Sequence, residues 1–257
     1  MEWITHTATG FFVGQAIIKP EERPKGAGWW WTVASVCPDW LEVGTRYFGD
    51  IHRGVTHSLY AWPVLALLWA LAAKRFGRSA ATLTRLWVAF AAIIGSHLFL
   101  DVLMAYRWYL VYPFSHVNWA WDIMPFYDIF IYAGWVILLI VHYWRKLPSM
   151  RTARIGLAIF LAMFVIRSAG KLRAEVLAPR LVAGTQTADT MRTIPVYYQP
   201  WIWYASPTGS RRDASTPINI LTGEVVSPSQ IIRPYFPPLP QFIRDLRRHE
   251  KSFSASC

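Results

Sequence analysis

The sequence predicts an all-α polytopic membrane protein with about four transmembrane helices, an N-terminal apolar helix and a small β-rich C-terminal appendage. Apolar residues make up 54% of the 257 residues and charged residues only 16%, against roughly 25% charged residues in soluble domains. The apolar residues form long runs bounded by Lys and Arg, whereas the last third of the chain is rich in Pro and turn residues. This composition excludes a disordered chain and an ordinary soluble enzyme.

Five apolar runs are candidates for membrane helices, because a span needs about twenty mainly apolar residues. The first, Trp3–Ile18, is interpreted either as a span or as a helix packed into the bundle. It lacks a basic start and a small-residue cleavage site, so we do not expect a signal peptide. The other four runs are expected to cross the membrane: Leu59–Ala73, Leu86–Val111, Phe126–Trp144 and Ile155–Ile166.

Basic residues predict the orientation of these spans. Residues 74–85 and 145–154 each hold four Lys or Arg and no acidic residue. The positive-inside rule places both loops in the cytoplasm, and therefore places residues 37–57, residues 112–122 and the C-terminal tail on the other side. Membrane topology and anionic lipid also account for the net charge of +11, so we expect no nucleic-acid partner.

The chain divides at a change of composition into two parts. Residues 1–167 are predicted to be embedded in the membrane, and residues 168–257 to form a Pro-rich, β-rich extracytoplasmic tail. The tail holds short runs of strand-forming residues between turn signals. These runs are Ile194–Tyr198, Trp201–Ala205 and Glu224–Val226.

The clearest candidate ligands are His97 and Asp101, which lie four residues apart in an otherwise apolar run. The i, i+4 spacing places both side chains on one face of a helix. A carboxylate inside a membrane helix costs roughly 2.5–3.5 kcal/mol, so a cation or a hydrogen-bonded partner must offset it. Two interpretations are open: a metal site, or a His–Asp pair that orders the helix bundle.

A second group of candidates comes just before the run Leu59–Ala73. His52 and His57 lie five residues apart, and Gly54 allows the turn that would bring them together. Arg53 could clamp a phosphate or a carboxylate, or it could extend to the membrane interface. The alternative for the whole segment is a polar loop that caps the following helix.

Asp39 and His6 complete the set of candidates. Asp39 either binds a metal or caps a helix, and His6 is either a ligand or a packed side chain. Imidazole and carboxylate ligands suit Zn²⁺, with Mn²⁺ or Fe as alternatives. Six ligands exceed one tetrahedral zinc and would fit two ions. The predicted metal ligands are His6, Asp39, His52, His57, His97 and Asp101, with Asp122 and Asp128 as second-tier candidates.

These residues, in this order, resemble the bacterial membrane-bound metal-dependent hydrolases, the family of LexA-regulated, YdjM-like inner-membrane proteins. The resemblance covers about residues 1–128. Its most specific part is His52-Arg53-Gly54-Val55-Thr56-His57-Ser58. The supporting parts are Thr5-His6 with Gly10, Pro38-Asp39, His97 with Asp101, and Pro113-Phe114-Ser115. The resemblance implies a four-span protein of the bacterial inner membrane, a divalent-metal site at the matching positions, and a metal-dependent hydrolase as the activity of residues 1–167.

The expected function is metal-assisted hydrolysis of an ester or phosphoester at the outer face of the membrane. A site at the interface meets headgroups first, so the predicted substrate is a lipid or a lipid-linked molecule. The expected catalytic residues are Asp39 or Asp101 as general base and Arg53 as the substrate clamp. Two alternatives are open: a transporter or ion pathway that uses the intramembrane His and Asp, and a non-catalytic membrane protein with a structural metal.

Overall fold

The computed structural model describes residues 3–46, 54–104, 108–117, 119–125, 128–145, 149–182, 191–196, 198–207 and 215–231. Six α-helices lie in these ranges: α1 (Trp3–Ile17), α2 (Ala27–Arg46), α3 (Ala61–Arg75), α4 (Leu83–Leu103), α5 (Ile129–Arg145) and α6 (Ser149–Leu181). Four strands follow: β1 (Met191–Pro195), β2 (Ile202–Pro207), β3 (Thr216–Asn219) and β4 (Glu224–Val225). The structure confirms a mostly helical protein with a small C-terminal sheet.

Two helices are long and apolar enough to cross a membrane, α4 and residues Met150–Leu181 of α6. In α6 only 11% of the most apolar window is buried within the protein, against 61% in α4. The run Phe126–Trp144 becomes α5, with 17 residues, and the run Leu59–Ala73 becomes α3, with 15. Both are shorter than the roughly twenty residues of a full span, so four transmembrane helices stay a prediction.

The centre of the helical core is α4, which packs against α1, α2 and α3. Its buried side chains include Phe90, Ile93 and Ile94. On α3 a row of fully buried alanines faces this core: Ala66, Ala70 and Ala73. Small residues at this spacing allow two apolar helices to approach closely. The helix α4 ends at Leu103, where the Met104 amide donates to the Asp101 carbonyl. It therefore ends earlier than the predicted run Leu86–Val111.

The sequence did not predict α2, which is the second helix of the core. Its Trp31 is fully buried and packs on Phe90 of α4, with ring centroids 5.3 Å apart. The helix contains Pro38, which removes one backbone donor and is disfavoured inside helices. The sequence does not predict this helix because proline and charged residues lower its helix propensity. Burial of Trp31 stabilises it.

Gly14 of α1 sets the close approach between α1 and α2. A Cβ atom added at Gly14 would lie 2.5 Å from ring atoms of Trp31. We expect Gly14→Ala to lower the free energy of unfolding by about 1–3 kcal/mol, since overpacked cores shift backbone and rotamers. Gly134→Ala on α5 is the matched control, because nothing lies within 4 Å of its added Cβ and alanine favours a helix. Thermal unfolding in detergent measures both, and an equal melting temperature for the two variants would contradict the prediction.

The four strands form one antiparallel sheet in the order β1-β2-β3-β4. The sheet packs on α6, where Ala174 and Ala178 contact Trp203 and Ile218. Lys171 of α6 donates to the carbonyl of Thr193 in β1 at 2.8 Å. The helix continues without a break through residue 167, where the composition changes, and carries the sheet beyond it.

The strands β1, β2 and β4 overlap the three predicted runs, but β3 was not predicted. It contains Pro217, which pairs with Tyr204 of β2, and proline argues against a strand in a sequence because it cannot donate to a ladder. Residues 1–226 form one compact unit, and residues 227–257 form another. Of the second unit, the structure describes a short 3-10 turn, Pro228–Gln230.

Candidate metal centre

Two residues of the candidate metal centre, His97 and Asp101, come from α4. His97 and Asp101 lie on one face of this helix, as their spacing predicts, and both side chains are fully buried. His97 Nε2 lies 3.6 Å from Asp101 Oδ2. Because α4 is central in the helical core, the surrounding helices exclude water from both side chains.

His57 reaches the same point from a separate segment. It ends a short 3-10 turn, Val55–His57, and is fully buried. Its carbonyl accepts a hydrogen bond from Trp108 Nε1 at 2.8 Å, which ties the turn to the loop after α4. Ser58 Oγ accepts from the Ala61 amide at the start of α3, so this segment also caps the next helix. The sequence offered capping and ligation as alternatives. The structure shows the cap and also places His57 beside the other candidate ligands.

Asp39 comes from α2 and closes the group. It lies inside the helix, one residue after Pro38, so the interpretation of Asp39 as a helix cap was wrong. His57 Nε2 is 3.3 Å from Asp39 Oδ1. The Asp39 side chain is 19% exposed, whereas the other three members are fully buried. Asp39 is therefore the most exposed member of the group.

Asp39, His57, His97 and Asp101 form a compact group of four ligand atoms. One such atom from each residue lies within 4.8 Å of all the others. His97 Nε2 and His57 Nε2 are 3.3 Å apart. Asp101 Oδ2 lies 3.5 Å from His57 Nε2, and Asp39 Oδ1 lies 3.6 Å from His97 Nε2.

These separations fit a divalent cation. A tetrahedral zinc site with bonds of about 2.0–2.1 Å places its ligand atoms about 3.3–3.4 Å from one another. Two carboxylates that converge in a buried site repel each other, and a cation among the four ligand atoms would offset that repulsion. The donor set, two His and two Asp, is one that zinc, manganese and iron accept.

His6 of α1 lies at the edge of the four-residue group. Its ring stacks on that of His97, with centroids 3.9 Å apart, and its Nε2 lies 3.5 Å from Asp101 Oδ1. The side chain is 1% exposed, and neither ring nitrogen has a hydrogen-bond partner among the described residues. Asp101 thus presents one oxygen to the four-residue group and the other to His6.

Glu42 is a buried acid next to the group that the sequence analysis missed. It lies on α2, three residues after Asp39, and is 6% exposed. Its Oε2 is 3.7 Å from His57 Nδ1. No motif contains it, and the signal that could have found it is its spacing from Asp39, which places both acids on one side of a helix.

The remaining candidates do not join this group among the described residues. His52 and Arg53 lie outside the described residues, so their roles as ligand and substrate clamp stay predictions. Asp122 forms a two-pronged ion pair with Arg192 of β1, at 2.7 Å for both bonds. These hydrogen bonds raise the pKa of the Arg192 guanidinium above its usual value. Asp128 pairs with Arg167 of α6 at 2.5 Å.

Comparison with known proteins places the site within a family. The sequence profile of the YdjM inner membrane protein family matches residues 1–174. The matched range contains α1 to α5, most of α6 and every predicted metal ligand. No curated protein and no solved structure is significantly similar to the chain.

Proposed function

Because this chain belongs to the YdjM inner membrane protein family, we propose that it is a membrane-bound hydrolase that uses a divalent metal at Asp39, His57, His97 and Asp101. The observation that carries the proposal is the convergence of two imidazole nitrogens and two carboxylates in one buried group. Three separate segments supply them: α2, the turn Val55–His57 and α4. A chance cluster of so many costly polar groups in an apolar core would be strongly disfavoured.

When bound, the divalent cation supplies Lewis acidity, which polarises an ester or phosphoryl oxygen and makes water a nucleophile at neutral pH. His57, His97 and Asp101 are fully buried and would hold the cation. Asp39 is partly exposed, so its free oxygen can accept a proton from an incoming water as general base. The partial exposure of Asp39 supports it over the fully buried Asp101 as the general base, a role for which the sequence treated the two acids as equivalent candidates.

His6 and Asp101 offer a second cation position next to the first. A carboxylate that presents its two oxygens to different sides can bridge two ions, as in two-metal hydrolases. His6 Nε2, at 3.5 Å from Asp101 Oδ1 and without a hydrogen-bond partner among the described residues, would be the distinctive ligand of this second position.

The substrate class follows from the place of the site in the chain. Because α4 is long and apolar enough to cross a membrane, a lipid or lipid-linked ester or phosphoester would reach metal ligands on this helix more readily than a soluble substrate would. The basic loops 74–85 and 145–154 favour an orientation in which the site and the tail are extracytoplasmic. Arg53 would then bind the anionic group of the substrate.

The test is metal-dependent turnover by purified protein in detergent. Protein stripped with a chelator and reloaded with Zn²⁺ or Mn²⁺ is assayed against phospholipids, polyprenyl phosphates and short nitrophenyl esters. We expect turnover after reloading only, and a loss of about 10²–10⁴-fold in Asp39→Asn, the range of a general base. Glu21→Gln, at an exposed acid in the turn before α2, should keep wild-type turnover.

Other outcomes of the same preparation would favour the alternatives. Metal-loaded protein without turnover on the whole panel would contradict the hydrolase. Metal flux into proteoliposomes would then support a transporter, in which ligands spread through the depth of several spans. A tightly held ion that exchanges no water would support a structural metal.

A further inference from the structure

The two nitrogens of the His57 ring face different surroundings. Nε2 faces the three other ligand atoms of the centre, at 3.3 to 3.5 Å from Asp39, His97 and Asp101. Nδ1 faces away from them, at 3.0 Å from Thr56 Oγ1 and 3.7 Å from Glu42 Oε2. A neutral imidazole carries its proton on one nitrogen only. Nε2 is therefore free to bind a cation only in the tautomer with the proton on Nδ1.

The surroundings of Nδ1 favour that tautomer. Thr56 Oγ1 lies within hydrogen-bond distance and can accept the Nδ1 proton. The Glu42 carboxylate, at 3.7 Å, adds a negative charge on the side of the ring where the proton must be. Both side chains are buried, so this charge is only weakly screened by water.

The helix α2 supplies two of the three carboxylates around His57, and Asp101 of α4 is the third. Asp39 approaches Nε2, and Glu42, nearly one helical turn later, approaches Nδ1. A buried Glu is rare unless it has a partner, and the described contacts of Glu42 include this imidazole. One helix therefore places a carboxylate near each nitrogen of the His57 ring.

We propose that Glu42 is a positioning residue of the metal centre, which holds the His57 ring with its proton on Nδ1 and its Nε2 lone pair directed at the cation. The proposal rests on the proposed metal centre and deepens it. Carboxylates behind metal-binding histidines fix the ring orientation and strengthen the ligand, and their loss typically lowers metal affinity 10–100-fold. Glu42 acts through His57 and needs no contact with substrate.

The experiment measures Zn²⁺ affinity of the detergent-solubilised full chain by competition with a fluorescent chelator. We expect Glu42→Gln, which keeps the shape and removes the charge, to bind Zn²⁺ about 10–100-fold more weakly than the wild type. Glu42→Asp restores the charge and should recover part of that loss. Glu175→Gln is the control, because Glu175 is half exposed and pairs with Lys171 on α6; its affinity should equal that of the wild type.

A second readout reports the tautomer directly. The readout is ¹⁵N-histidine NMR of the Zn²⁺-loaded protein, in which the Nδ1 proton of His57 gives a resonance. This resonance should shift upfield in Glu42→Gln, because the carboxylate next to Nδ1 is lost. Equal affinity and an unshifted resonance in Glu42→Gln would overturn the proposal and leave the hydrolase untouched. An affinity for Zn²⁺ in Glu42→Asp as low as in Glu42→Gln would also overturn it. Wild-type protein that binds Zn²⁺ but hydrolyses nothing would refute the hydrolase alone.

Discussion

We expect the His97→Ala protein to lack the divalent metal that the proposed centre would hold in the wild-type chain. His97 Nε2 lies within 3.6 Å of ligand atoms of Asp39, His57 and Asp101. Its loss leaves two carboxylates and one imidazole. We therefore expect the affinity for the metal to fall by more than the roughly 10–100-fold that is typical when a residue that only orients a ligand is removed. His57→Ala should behave in the same way. Elemental analysis of protein purified in detergent measures the metal content.

His116→Ala is the control for this experiment. His116 is exposed and packs edge-on against Tyr109 and Tyr112, outside the four-residue group, so it should keep the wild-type metal content. If the wild type holds two ions, His6→Ala should keep one of them, because His6 contacts only Asp101 Oδ1 among the acidic oxygens of the centre. A folded His97→Ala protein with unchanged metal content would refute the four-residue site.

The largest loss of stability is expected from Arg167→Met. Arg167 is 2% exposed and Asp128 is 1% exposed, and they pair at 2.5 Å between α6 and the start of α5. Asp128 also accepts from the Phe130 amide, which caps α5. Removing the guanidinium leaves a buried, uncompensated carboxylate, which costs about 3–5 kcal/mol. Thermal unfolding in detergent measures the effect.

Two comparisons make this prediction specific. Arg85→Met breaks an ion pair with Glu22 whose arginine is 55% exposed, and exposed pairs contribute only about 0–1 kcal/mol. The double variant Asp128→Leu with Arg167→Met should recover most of the stability, because apolar replacements of a buried pair are often neutral. Nε and Nη1 of Arg167 have no hydrogen-bond partner among the described residues, which strengthens that expectation. A loss in Arg167→Met no larger than in Arg85→Met would contradict the argument.

The sequence predicted what depends on local spacing. His97 and Asp101 share a helix face because they are four residues apart in an apolar run. Ser58 caps α3 because it lies just before an apolar segment. These features need no knowledge of tertiary contacts, and the family profile independently covers the same part of the chain.

What the sequence did not predict depends on contacts between distant segments. α2 was missed because Pro38 and polar residues lower its local propensity, whereas the burial of Trp31 against Phe90 stabilises it. The same contacts place Asp39 next to Nε2 of His57 and Glu42 next to Nδ1 of the same ring. β3 was missed because Pro217 is a poor strand residue in isolation and is held by pairing with Tyr204.

The continuity of α6 has a mechanical consequence. From Arg167 to Leu181 the helix runs on for about 20 Å at 1.5 Å per residue, and the sheet is fixed to this length through Ala174 and Ala178. Helices in membranes tilt to match the thickness of the bilayer. A rigid rod of this length converts a tilt of about 10° into a displacement of about 4 Å at its far end. We therefore expect a change in the tilt of α6, such as a change in bilayer thickness would cause, to displace the sheet that packs on it.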